Sequence, residues 1–180
     1  MTYGKEYWQT EKSSFETTTD LTITHGLTTA EWLHNGLVTG NYNVFMYWWL
    51  STDGRNEGLT TETLRTPKRY YTFGNFSKYI RPGFSRIDAT ASPATNVLVS
   101  AYKNAGSTNF VIVAINKNGS ATSVTFNLTG IGVPSFTPYV TSSSLNLCVQ
   151  AGVTPHYECG VSPFGHPRID GWSAPSRGLS

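Results

Sequence analysis

KEYWQTE, residues 5–11, is the stretch on which the fold turns. Its alternation puts Lys5, Tyr7, Gln9 and Glu11 on one face of a strand and Glu6, Trp8 and Thr10 on the other. One face therefore ends in a carboxylate. Facing an apolar core, an ionised Glu needs a partner or a raised pKa. Two readings of the spacing stay open: an edge strand with Glu11 in water, or a strand that opens into an active-site mouth.

Outward from this strand, the first half alternates strand with helix, the pattern of parallel β/α architecture. A polar loop, SSFETTTD (13–20), leads to Thr28-Thr29-Ala30-Glu31, whose spacing suits a capping box and predicts a helix over 29–39 that stops at Gly40. YNVFMYWWL (42–50) is apolar enough for a strand buried on both faces. After the loop STDGRNEG (51–58), Pro67 opens a second predicted helix with Tyr70, Tyr71, Phe73, Phe76 and Tyr79 as its apolar stripe, closed by Pro82-Gly83. Two strand–helix units cannot close a barrel and leave the sides of a buried strand bare, so this α/β half reads as incomplete.

Past Arg81 the pattern changes to short β runs separated by turn residues: NVLVSAYK (96–103), NFVIVAIN (109–116), ATSVTFNL (121–128) and SFTPYVTS (135–142). These predict an antiparallel sandwich, or a large part of one. From about Cys148 no sustained period remains, and the Pro-, Gly- and Ser-rich tail is expected to be irregular. The predicted domains are 1–81, 82–147 and the tail 148–180.

The 180 residues, 38 % hydrophobic, can bury a sizeable core. A net charge of +2 from 13 basic and 11 acidic residues, with no block of like charge, argues against nucleic acid and anionic membrane as partners. No apolar run approaches a membrane span, and MTYGKEYWQTE carries no export signal. Cys148 and Cys159 lie in neither a metal-type nor a redox-type spacing, and whether they pair stays open.

Five segments, KEYWQTE, HNGLVTGNYNVFMYWWL (34–50), FGNFSKYIRPGFSRIDAT (73–90), NVLVSAYKN and FVIVAINKN, closely resemble in order and distance the C-terminal part of glycoside hydrolase family 30, in its xylanase branch. The resemblance implies the last two strand–helix units of a (β/α)₈ barrel, with residues 5–11 as strand seven, 43–50 as strand eight and 67–80 as helix eight, followed by an incomplete β-sandwich side domain. It implies retaining hydrolysis of xylan with Glu11 as nucleophile, while the family's acid/base ends strand four, which this sequence lacks. The isolated chain is accordingly expected to be inactive.

By the same resemblance Trp48 and Trp49 supply sugar-stacking rings. Alternation gives the two opposite faces, and Trp49 is preferred as the one nearer the sugar. Tyr7 and Gln9, on the face of Glu11, either line the barrel interior or merely pack there, while Glu16 and Glu57 are expected to be solvated loop residues. No metal or other cofactor is implied, and a secreted monomer acting on polysaccharide is expected. Two departures stand out. Arg55 is the sole cation of STDGRNEGLT (51–60), which argues against dependence on a glucuronate branch. The tail from 148 lacks the strands that complete the family's sandwich, as a frameshift, readthrough or faulty gene model would produce. The rival readings are a non-catalytic carbohydrate-binding β-sandwich module and a family 30 hydrolase of another β-glycan, such as a glucan or a glucosyl lipid.

Overall fold

The computed structural model describes residues 4–14, 16–52, 57–63, 65–128 and 136–150, together with the backbone of two short strands at 156–158 and 168–170. β1 (Trp8–Lys12) and β2 (Val44–Tyr47) run parallel, with Trp8 opposite Val44 and Gln9 opposite Phe45. Parallel neighbours need a long crossover, and α1 (Ile23–Val38) supplies it.

The helix begins six residues before its expected start. Asp20 Oδ1 accepts a hydrogen bond from the Thr22 backbone N–H at 2.6 Å, ahead of the first turn. Thr28 and Thr29 lie inside the helix and return their hydroxyls to the carbonyls of Thr24 and His25. Glu31 caps nothing and instead meets Lys117 at 2.6 Å. Threonine and glycine lower helix propensity over 22–29, but burial of His25, Gly26, Thr29, Ala30 and Leu33 against the rest of the fold overrides it.

α2 (Lys68–Ser77) follows Pro67 as expected, but its buried face is Arg69, Thr72 and Phe76, and Tyr70 is exposed. Of the expected aromatic stripe Phe76 is buried in the core and Phe73 packs against it, while the contact of α2 with α1 falls to Thr72 at Gly26, where only a small contact surface fits. Thr72 Oγ1 donates to the Gly26 carbonyl at 2.8 Å, and a Cβ on Gly26 would stand 3.1 Å from the Lys68 backbone. β2 is not buried on both sides. Val44, Phe45 and Tyr47 are half-buried, and Met46 is exposed because both helices cover the same face of a two-stranded sheet.

In the second half β3 (Phe84–Ile87), β4 (Val97–Asn104) and β5 (Phe110–Asn116) form an antiparallel sheet with β4 in the centre. Residues 121–128 alternate in burial as a strand does, yet make no ladder. Among the described residues of 135–142, only β6 (Tyr139–Val140) is strand, paired with β7 (Cys148–Val149). The tail is not wholly irregular either. β8 (His156–Glu158) pairs with β9 (Arg168–Asp170), and two- or three-residue strands are too short for a sequence period to register. Cys148 is half-buried, and Cys159 lies outside the described residues.

One core serves both halves. Ala30 and Leu33 of α1, Phe76 of α2, and Tyr102, Val113 and Ile115 of the antiparallel sheet form a single buried cluster.

Candidate functional site

In parallel β/α folds the chemistry gathers at the C-terminal ends of the strands, and here those ends carry Glu11-Lys12 and Trp48-Trp49. β1 reaches its end through a bulge. Between the pairs Gln9–Phe45 and Lys12–Tyr47, β1 has two residues where β2 has one. Gln9, Lys12 and Phe45 all line an open concavity of about 630 Å³ against Trp32 and Asn35 of α1, and the Lys12 ammonium sits 4.1 Å from the Trp32 ring centroid. The two residues in between, Thr10 and Glu11, are both exposed. Alternation grouped Gln9 with Glu11; the extra residue separates them. The Gln9 amide donates to the Glu11 carbonyl, bracing the bulge from the helix side.

The end of β2 is joined to the end of β1. The Trp48 backbone N–H donates to the Lys12 carbonyl at 3.0 Å, one residue beyond Glu11. The Trp48–Trp49 peptide is cis, and the two indoles meet edge to face, with centroids 4.9 Å apart at 85°. Neither ring packs under a helix, and they are 45 % and 42 % exposed. Residues 57–60 run alongside. Trp49 N–H donates to the Glu57 carbonyl, while Leu59 and Thr60 donate to the carbonyls of Trp49 and Leu50. Arg55, at 53–56, lies outside the described residues. Tyr7 is 41 % exposed and is tied to Asn43 through its backbone, its N–H donating to Asn43 Oδ1 and its carbonyl accepting from the Asn43 N–H.

Beneath these ends lies a buried polar layer that sequence reasoning missed. Glu57 is not solvated but 7 % exposed, whereas Glu16 is exposed, with a carboxylate oxygen 3.9 Å from His25 Nε2. Arg69 of α2, 1 % exposed, donates from Nε to the Gly58 carbonyl and from Nη1 to the Asp20 carbonyl at 2.9 Å. Burial pushes the Tyr47 phenol up to about 12; nearby Arg69 opposes that rise, and Glu57 and Glu16 add to it. Tyr47 is thus a neutral hydroxyl at every working pH. A cation two residues after a helix-opening proline would by habit be placed in water, so the one available signal for Arg69 pointed the wrong way.

His25 and His34, at 4 % and 3 % exposure, are held below their ordinary pKa of 6.5. Burial is the main cause for both. Arg69 adds to it at His25, where Glu16 and Asp20 oppose, and Glu31 opposes it at His34. A lowered folded-state value means that stability is complete above 6.5 and is lost as the pH falls below it, because the unfolded chain takes up the protons first. The urea midpoint is therefore expected to fall between about pH 7 and pH 5, and to fall less in His34→Gln. A midpoint that stays flat or rises on acidification would contradict this account.

No protein-family model matches the chain. It is 36 % identical over 146 residues to glucuronoxylanase XynC of Bacillus subtilis (strain 168), covering 80 % of this chain and 33 % of that protein. Among solved structures, a GH30 endoxylanase from Clostridium papyrosolvens superposes with a TM-score of 0.72 at 41 % identity, over 84 % of this chain and 37 % of that one. A family 30 subfamily 8 xylanase from Clostridium acetobutylicum gives 0.76 at 32 % identity, over 96 % and 40 %. The chain thus spans about a third of the length of the curated relatives it matches, and among the described residues no helix is long and apolar enough to cross a membrane. Sequence and fold agree on one likeness: over four fifths of its length the chain is similar to part of the xylanases of glycoside hydrolase family 30.

Proposed function

We propose that the chain is the C-terminal part of a secreted, monomeric, retaining endo-xylanase, comprising the last two strand–helix units of its barrel and its side sandwich. Glu11 is the nucleophile that attacks the anomeric carbon, and Trp49, Trp48 and Tyr7 hold the sugar. The acid/base carboxyl comes from a strand outside this sequence. The observation that carries this reading is the Trp48-to-Lys12 hydrogen bond, which sets two exposed indoles beside an exposed carboxylate at the C-terminal ends of adjacent parallel strands. Flat apolar sugar faces pack on such rings, and a carboxylate is the group that attacks in retaining hydrolysis. With Arg55 as the sole cation of its loop, glucuronate branches are not required.

Retention of the chain on insoluble xylan tests the platform. Trp49→Ala is expected to weaken retention by roughly 2- to 12-fold, the range of one stacking contact worth about 0.5–1.5 kcal/mol. Unchanged retention in the Trp48→Ala/Trp49→Ala double variant would move binding to the antiparallel sheet and favour the non-catalytic module instead.

A further inference from the structure

Among the described residues Arg69 is the largest side chain that the fold buries completely. Enclosing a cation is costly unless its donors are used, and the contact of α2 with α1 is already made by Thr72 on Gly26. A helix that needed only packing at this position would carry Leu or Met. The guanidinium instead spans two loops. Its Nη1 holds the Asp20 carbonyl, in the loop after β1, and its Nε holds the Gly58 carbonyl, in the loop after β2. Gly58 lies between Glu57 and Leu59, whose carbonyl and amide both bond the backbone of Trp49. A rigid planar fork fixes two acceptors relative to each other in a way that a flexible ammonium does not.

We propose that Arg69 is a positioning residue of the strand-end mouth, a clamp that ties the loop after β1 to the loop after β2 and so sets the Trp48–Trp49 pair beside Glu11. Its functional meaning rests on the xylanase reading above, whereas the clamp itself is a statement about geometry. The Lys68 amide also donates to the Leu21 carbonyl, a bond that ties only the first loop to α2, whereas the guanidinium reaches both.

Two indoles 4.9 Å apart and nearly perpendicular couple their transitions, so the full chain should show an exciton couplet in circular dichroism that Trp48→Phe abolishes. In Arg69→Met the couplet is expected to fall to less than half, and exchange of the Leu59 and Thr60 amides to quicken at least tenfold, while helix α1 keeps its protection. Arg69→Lys, which can reach one carbonyl at a time, is expected to fall between the two and stands in if the Met variant does not fold. Couplet and amide protection unchanged in either folded variant would overturn the clamp, as would Leu59 and Thr60 exchanging in the wild-type chain at the rate of exposed amides. Loss of the couplet without any change in xylan retention, in a background where Trp49→Ala also changes nothing, would uphold the clamp and reject the sugar platform.

Discussion

Incubated with xylan, the 180-residue chain is expected to release no more reducing sugar than its own Glu11→Gln variant. Retaining hydrolysis needs a second carboxyl about 5–5.5 Å from the nucleophile, first as acid and then as base. The carboxyls that the structure places beneath the mouth are engaged elsewhere. Asp20 points at the Thr22 amide, and Glu57 is buried under the loop that borders Trp49. Loss of the acid/base costs about 10²- to 10⁴-fold, and the loss of orientation in an open half-site adds to it. A reducing-sugar assay on both proteins decides the matter. Release that depends on Glu11 would show that this chain holds both carboxyls of the reaction.

Phe76→Ala is expected to destabilise the chain by about 3–5 kcal/mol, a large share of the roughly 5–15 kcal/mol that holds a domain together. Phe76 is 3 % exposed and belongs to the cluster that joins α1 to the antiparallel sheet. Its loss should therefore lower one cooperative urea transition rather than split it into two. Tyr70→Ala, on the same helix but 41 % exposed, should move the midpoint by no more than about 0.5 kcal/mol. A Phe76→Ala cost below about 1 kcal/mol would mean that the helices and the sheet do not share a core.

What the sequence disclosed and what it hid divide along physical lines. The parallel order of β1 and β2 was legible because an alternating strand pattern, a helix-length segment and a second, apolar strand permit little else. β4 and β5 were legible because their seven or eight residues carry a sustained period. Residues 121–128 carry the same period without a ladder, since alternation reports which side is wet and not whether a neighbour is hydrogen-bonded. The early start of α1 was hidden by threonines whose local preference the tertiary packing overrides.

The candidate site divides in the same way. Glu11, Trp48 and Trp49 are candidates through the resemblance of their segments to family 30, and the structure leaves all three exposed at the strand ends. Glu57 and Arg69 did not stand out, because nothing local marks a charged residue for burial; for Arg69 it follows from carbonyls 49 and 11 residues away, at Asp20 and Gly58.

The bulge in β1 bears on any attempt to move this mouth to another scaffold. Copying the side chains of KEYWQTE onto a regular strand would return Glu11 to the parity of Gln9 and send the carboxylate towards the helix layer, beside Trp32. The transferable unit is the backbone irregularity together with the Gln9 amide that braces it, so the feature to graft is one surplus residue rather than a motif of letters.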